Sequence, residues 1–144
     1  MLRLISDLER RKWMELKKIH HIGIVVEDLQ RAIEKFKGFG LSCREVTEIK
    51  EAGVKIAFFP IGDVLIELLH FIQQDKGQST LVQSQKNAIN HICFEVKDLE
   101  ATIQDFEKNG AKLMEGFPRA IGHGRIAFFH PETTENVLIE IMQE

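Results

Sequence analysis

Apolar and polar residues alternate along the chain in a pattern that predicts the same order of elements twice. Alternating runs near residues 19–26 and 90–96 predict strands, because successive side chains of a strand point to opposite faces. Apolar residues at helical spacing follow each run, and three further short apolar runs come after them. The pattern therefore predicts two βαβββ modules, at residues 18–72 and 89–144.

An aspartate precedes each predicted helix, and a glycine follows it. Asp28 and Asp98 stand where an N-cap side chain accepts a backbone hydrogen bond. Gly40 and Gly110 stand just past the predicted helix ends, where glycine relieves a left-handed turn. The three strands after each helix are predicted at about 42–49, 53–60 and 64–70, with copies at about 111–116, 124–130 and 136–142.

The two modules are copies of one another in sequence. HIGIVVEDL at 21–29 matches HICFEVKDL at 91–99, an offset of 70 residues. IAFF recurs at 126–129 with the same offset, and VLIELL at 64–69 recurs as VLIEIM at 137–142 with an offset of 73. A constant offset that changes once, in a longer turn, indicates an internal duplication.

Two segments fall outside the repeat. Residues 1–17 carry Leu4, Leu8 and Trp13 at helical spacing, which predicts an N-terminal helical extension. Residues 73–88, QQDKGQSTLVQSQKNA, are mostly polar and predict a linker between the modules.

A histidine and a glutamate recur inside the apolar strands of both modules, as His21 with Glu67 and as His91 with Glu140. Alternation places all four on the face away from the predicted helices. A structural histidine or a solvent-facing glutamate would explain each one alone, but their recurrence at matched positions favours a shared role. Buried carboxylates need a partner or a metal. Two imidazoles and two carboxylates suit one divalent ion, such as Zn, Co, Ni, Mn or Fe.

Composition excludes several classes of protein. The chain is 44% hydrophobic and 28% charged, with a formal charge of −3, which is typical of a soluble globular protein and gives no reason to expect nucleic acid. No apolar run is long enough to span a membrane, and the N-terminus lacks the apolar segment of a secretory signal. Cys43 and Cys93 lack the spacing of a zinc site, so we expect free thiols and a cytoplasmic protein.

Exposed sheet edges and the N-terminal helix favour a homodimer.

The repeated segments resemble the vicinal oxygen chelate superfamily of glyoxalases, bleomycin resistance proteins and dioxygenases, and most closely its methylmalonyl-CoA epimerases. HHIGIVVEDLQRAIEKF, AGVKIAFFPIGDVLIELLH, NHICFEVKDLE and HGRIAFFHPETTENVLIEI carry the likeness, which covers residues 18–144 as one domain. The resemblance implies an α+β fold whose modules form one curved, cup-shaped mixed sheet with helices outside. The family's metal ligands fall on His21, Glu67, His91 and Glu140.

The resemblance also implies an isomerase that moves a proton alpha to the thioester of an acyl-CoA, through an enolate that a divalent metal stabilises. Glu140 is the predicted base as well as a metal ligand, and Glu48 or Glu51 is the predicted second acid or base, with Glu48 preferred. Arg119, His123 and Lys55 are predicted to hold a carboxylate or phosphate of the substrate. Lys55 stands about where one type of epimerase carries its second carboxylate.

Three other functions are open at the level of sequence. A glyoxalase I-like lyase would act on a thiol hemithioacetal with the same metal site. A dioxygenase would bind iron through two histidines and one carboxylate, so an acidic residue at Glu67 argues against it. A drug-binding resistance protein would act without turnover, and such proteins often lack the metal ligands that are all present here.

Overall fold

The computed structural model describes residues 16–72 and 87–144. These residues belong to two compact units. The N-terminal unit contains the described residues 20–72 and 87–92, and the C-terminal unit contains the described residues 16–19 and 93–144. Each unit is described by itself below.

The described residues form eight strands and two α-helices in the order βαβββ, twice. The α+β class and the repeated order that the sequence predicts are therefore confirmed. The strands are β1 Leu16–Val25, β2 Glu45–Ile49, β3 Val54–Ile61, β4 Val64–Phe71, β5 Ala88–Val96, β6 Arg119–Ile121, β7 Gly124–Phe129 and β8 Ile139–Gln143. The helices are α1 Leu29–Gly38 and α2 Leu99–Lys108, with short 3-10 helices at Lys50–Ala52 and Pro131–Thr133.

Both α-helices begin at the aspartates that the sequence singles out. The Asp28 side chain accepts a hydrogen bond from the backbone N–H of Arg31 at 3.0 Å. Asp98 accepts one from the backbone N–H of Ala101, also at 3.0 Å. Each bond satisfies one of the backbone donors that a helix leaves unpaired in its first turn.

The N-terminal unit contains a mixed sheet with α1 on one face. β1 runs parallel to β4, while β3 is antiparallel to both β4 and β2. The face that packs against α1, here called the helix face, buries a cluster of apolar residues. They are Val26, Ile33, Ala57, Phe59 and Leu68. The opposite face, here called the far face, holds a second cluster built on Val25, Val54, Ile56 and Leu69.

The C-terminal unit repeats this arrangement. Its strands follow the order β5-β8-β7-β6, and β7 is antiparallel to both of its neighbours. The core beneath α2 contains Ala127, Phe129 and Ile141, which are the copies of Ala57, Phe59 and Leu68. The helix face of this unit is thus the duplicate of the helix face in the other.

One predicted strand of the second module does not form. Residues 111–116 contribute only an isolated bridge between Leu113 and Phe129, and the strand beside β7 is β6 instead. Two residues explain the break, because Gly116 adopts a left-handed φ of 83° and Pro118 has no N–H to donate to a ladder. The chain therefore pairs with β7 at Leu113, separates from it, and pairs with it again in β6.

The two predicted segments outside the repeat lie mostly outside the described residues. Of the predicted N-terminal helix only residues 16 and 17 are described, and both belong to β1. Of the predicted linker only residues 87 and 88 are described, a turn residue and the first residue of β5. Within residues 16–72 and 87–144, no helix is long and apolar enough to cross a membrane.

We predict that Phe59→Ala and Phe129→Ala each lower the free energy of unfolding by about 3–5 kcal/mol, because each deletes a buried ring and leaves a cavity. Both rings are 0% exposed. Phe39→Ala is the matched control, since Phe39 is 72% exposed and a surface change should cost less than about 0.5 kcal/mol. Urea unfolding measures all three. A loss at Phe59 no larger than that at Phe39 would contradict the core described above.

Candidate metal centre

His21 and Glu67 lie on neighbouring strands of the N-terminal unit and share its far face. The parallel register sets His21 beside Leu65 and Gly23 beside Glu67, so side chains two residues apart project to the same side. Both polar side chains are buried, with 5% of His21 and 6% of Glu67 exposed. The alternation in the sequence predicts this placement.

A chain of short polar contacts joins these residues to His91. Nδ1 of His21 lies 3.0 Å from Oε2 of Glu67. Nε2 of His21 lies 3.0 Å from Nε2 of His91. On the outer side of each ring, His20 places its Nδ1 2.8 Å from Nδ1 of His21, and Asn90 places its Oδ1 2.8 Å from Nδ1 of His91. All of these contacts lie within the N-terminal unit.

The donor set of this cluster fits a divalent ion. Two nitrogens that bind one ion at right angles, each about 2.1 Å from it, are about 3.0 Å apart, which is the spacing of the two Nε2 atoms. Imidazole nitrogen and carboxylate oxygen are both ligands that Zn and its first-row neighbours accept. His21 and His91 are therefore suited to hold such an ion by their chemistry and by the spacing of their Nε2 atoms, and Glu67 is suited to it by its chemistry.

Gly23 is required by the position of the His91 ring. A Cβ atom built on Gly23 would lie 2.3 Å from Cε1 of His91 and 2.8 Å from its Nε2. Real Cβ contacts are essentially never shorter than 3.0 Å. The imidazole thus occupies the space that any side chain at residue 23 would need.

Glu140 holds the equivalent place in the C-terminal unit. It lies on β8, is 5% exposed, and pairs in register with Phe128 of β7. Its neighbour Ile141 packs beneath α2, so alternation directs Glu140 to the far face of this unit. Glu67 pairs with Phe58 in the same way, and the duplication has preserved this phenylalanine–glutamate pair.

Arg119 lies on the same face as Glu140. Its register partner on β7 is Ile126, two residues before Phe128. The guanidinium carbon sits 4.4 Å from the centre of the Phe117 ring, and that ring meets Phe128 edge to face at 5.3 Å. A guanidinium on an aromatic face is attracted by the ring, which places the cation without neutralising it.

The structure places His123 apart from Arg119. His123 is exposed and stands with Gly122 in the tight turn between β6 and β7. Its side chain is therefore at the tip of a hairpin rather than on the far face of the sheet. A role in binding substrate there requires a ligand that extends to the tip.

Glu48 and Lys55 are corrected by the strand register. Glu48 pairs with Lys55, and Lys55 pairs with His70 on β4. His70 is three residues from Glu67, so alternation sends this row to the helix face. The predicted acid or base and the predicted cation thus lie on the opposite side of the sheet from Glu67. On β2 it is Glu45, paired with Phe58, that the register places on the far face.

Three residues near the cluster were missed by reasoning from sequence. The sequence does carry a signal for Gly23, because a glycine inside an apolar strand often marks a place where another group approaches the backbone closely. Asn90 had one too, because it is the copy of His20 at the offset of 70. The sequence carries no signal for Arg44, since only the fold brings its guanidinium carbon to 5.9 Å from the centre of the Phe58 ring.

We predict that Gly23→Ala displaces the His91 ring, because the new methyl group and the ring would occupy one space. The imidazole NMR signals of His91 should move, and the unfolding free energy should fall by about 1–3 kcal/mol. Gly38→Ala is the control, since a Cβ there meets nothing within 4 Å. Unchanged His91 signals in Gly23→Ala would contradict the contact.

Comparisons of the sequence with known proteins find similar epimerases. The human mitochondrial methylmalonyl-CoA epimerase is 30% identical over 131 residues, which cover 89% of this chain and 74% of that protein. The ethylmalonyl-CoA/methylmalonyl-CoA epimerase of Cereibacter sphaeroides is 28% identical over 130 residues, which cover 88% of this chain and 97% of that protein.

The fold of this chain also matches solved structures. A methylmalonyl-CoA epimerase solved with methylmalonyl-CoA and an ammonium ion matches with a TM-score of 0.79 and 26% identity, over 90% of this chain and 95% of that one. The family model described as Glyoxalase/Bleomycin resistance protein/Dioxygenase superfamily matches residues 20–129. The chain therefore belongs to the glyoxalase, bleomycin resistance protein and dioxygenase superfamily.

Proposed function

We propose that this protein is a divalent-metal-dependent isomerase that moves the proton alpha to the thioester of an acyl-CoA, with methylmalonyl-CoA as its substrate. The observation that carries the proposal is the buried cluster of His21, Glu67 and His91. The chain that holds it is similar to methylmalonyl-CoA epimerases over nearly its full length. A metal-dependent proton transfer is the chemistry that such a cluster can support.

We propose that His21, Glu67, His91 and Glu140 bind one ion of Zn, Co, Ni, Mn or Fe. All four side chains are buried, with exposures of 5–6%. They are copies of each other in the duplicated modules, and a buried carboxylate costs free energy unless it has a charge to meet. When bound, the ion would supply positive charge that polarises the thioester carbonyl and makes the alpha proton acidic.

Glu140 is the proposed base. Its carboxylate takes the alpha proton, the C–H electron pair passes to the carbonyl oxygen as an enolate, and solvent then delivers a proton to the opposite face of the carbon while Glu140 releases the proton that it took. In the C-terminal unit, Ile126 and Phe128 share the face of Glu140 and are 4% and 5% exposed, so buried apolar side chains flank the proposed base on its own sheet.

Arg119 is the proposed contact for an anionic group of the substrate. A guanidinium binds a carboxylate or phosphate through parallel hydrogen bonds, and Phe117 keeps this one in place. Methylmalonyl-CoA carries a carboxylate next to the reacting carbon and phosphates on the CoA. His123, at the exposed hairpin tip, is proposed to contact the CoA part of the substrate.

We further propose that the protein acts as a homodimer in the cytoplasm. β2 lies at the edge of its sheet, and Val46 on that strand is 51% exposed, as is typical of surfaces that another chain covers. No disulfide joins Cys43 to Cys93, and unoxidised cysteines are the rule in a reducing compartment.

We predict that the metal-loaded protein catalyses loss of the alpha proton of methylmalonyl-CoA in D₂O. Glu140→Ala should lower the rate at least about a hundredfold, because it removes the base, which is also a proposed metal ligand. Proton NMR follows the alpha signal. Glu34→Gln is the matched control, since Glu34 is an exposed helix residue that pairs with Gln30. Absence of exchange in the wild type with every one of the five metals would overturn the proposed function.

We predict that Arg119→Ala raises KM for methylmalonyl-CoA about tenfold or more, since a charged hydrogen bond contributes about 1.5–3 kcal/mol. Arg125→Ala should leave KM near that of the wild type. Arg125 is on the next strand but pairs with Glu100 of α2, on the other side of the sheet. Equal effects of the two substitutions on steady-state kinetics would mean that Arg119 has no specific role.

A further inference from the structure

We propose that the residue before each ligand histidine, His20 in the first module and Asn90 in the second, is a positioning residue that determines which ring nitrogen meets the metal. The proposal rests on the metal site proposed above. It concerns two residues that are not metal ligands themselves. Each has the same role, which is to accept the Nδ1 proton of the histidine that follows it.

Asn90 determines the orientation and tautomer of His91. Oδ1 of Asn90 lies 2.8 Å from Nδ1 of His91. An amide oxygen only accepts hydrogen bonds, so Nδ1 must carry the proton. A neutral imidazole has one N–H, and its other nitrogen then presents a lone pair. That other nitrogen is Nε2, the atom that faces His21 at 3.0 Å.

Gly23 and Asn90 constrain the His91 ring in different ways. The backbone of Gly23 lies against the ring and limits where the imidazole can be. That contact involves carbon and nitrogen atoms alike and does not distinguish the two tautomers. The hydrogen bond to Asn90 does distinguish them, because only one of them places an N–H at Nδ1. The two residues together leave one position and one tautomer.

His20 does the same for His21. Its Nδ1 lies 2.8 Å from Nδ1 of His21, the same distance as in the second module. With its own proton on Nε2, His20 accepts the Nδ1–H of His21, so Nε2 of His21 is left to bind. Oε2 of Glu67 lies 3.0 Å from that same Nδ1–H. Because His20 can take this hydrogen bond, Glu67 can turn its carboxylate towards an ion.

The duplication gives this idea a second, independent support. His20 and Asn90 are copies at the offset of 70, and so are the histidines that follow them. The residue type has changed between the copies, yet each side chain still contacts Nδ1 of the next residue. An amide oxygen and an unprotonated imidazole nitrogen share one property that explains this, which is that both accept a hydrogen bond.

The first experiment compares zinc affinity by competition with a chromophoric chelator. Asn90→Ala should bind zinc about 10–100-fold more weakly than the wild type, the range found when a partner of a ligand histidine is lost. Asn90→Asp keeps an acceptor and should remain within about threefold, since its oxygen still takes the Nδ1 proton. Asn109→Ala, at the end of α2, is the matched control. Thermal unfolding of the metal-free variants checks that each one folds.

A second set of variants exchanges the two modules' residues. His20→Asn and Asn90→His should both stay close to wild-type affinity, because each installs an acceptor that the other module already uses. His20→Ala should lose about tenfold or more, as expected when the partner of a ligand histidine is removed. His70→Asn is the control for a histidine outside the cluster, since His70 contacts the backbone oxygen of Val26.

The NMR spectrum of the zinc-loaded protein tests the tautomer directly. Two-bond ¹H–¹⁵N correlations of the imidazoles should show the proton on Nδ1 of both His21 and His91, and zinc on Nε2. Zinc on Nδ1 of His91, or equal affinities for Asn90→Ala and the wild type, would overturn the inference and leave the proposed function standing. A wild-type protein that binds no divalent ion would overturn both.

Discussion

The cost of burying charged and polar side chains governs the organisation of the N-terminal unit. His21, Glu67 and His91 are each at most 6% exposed, and none of them could remain so without partners. Their contacts form one chain from Glu67 through the two histidines, with His20 and Asn90 at its sides. The strands supply the geometry, because the alternation of side chains lets one face be polar while the helix face stays apolar.

The same constraint explains why the two modules diverge where they do. The helix faces keep Ala, Phe and a large aliphatic residue at equivalent positions, since packing against a helix leaves little choice of volume. The residues beside these histidines and glutamates differ more between the modules. Gly23 corresponds to Cys93, and His20 corresponds to Asn90. The duplication thus kept the histidines and glutamates while the residues around them diverged.

Much of the fold and of the candidate site could be predicted from the sequence. The order of elements, the helix caps and the far-face placement of His21, Glu67 and Glu140 follow from periodicity and from a repeat that shows each pattern twice. The ends of the strands, and the face of the sheet to which each side chain points, were harder to predict. Glu48 lies on the helix face, and this follows from its pairing with Lys55, which the sequence of a single strand does not reveal.

Features that depend on contacts between distant residues could not be predicted. Arg119 lies over the ring of Phe117, and Arg44 lies near the ring of Phe58. Both positions depend on how loops fold back onto strands. The break in the strand after Leu113 depends on the left-handed φ of Gly116 and on the missing N–H of Pro118, and apolar periodicity reveals neither effect. Such features fall where the chain departs from regular structure.

The contact between Gly23 and the His91 ring makes two distant positions share a single volume. Residue 23 can grow during evolution only if residue 91 shrinks first, and a shrunken residue 91 is no longer an imidazole. Selection that keeps an imidazole at residue 91 therefore acts equally on residue 23, which has no side chain.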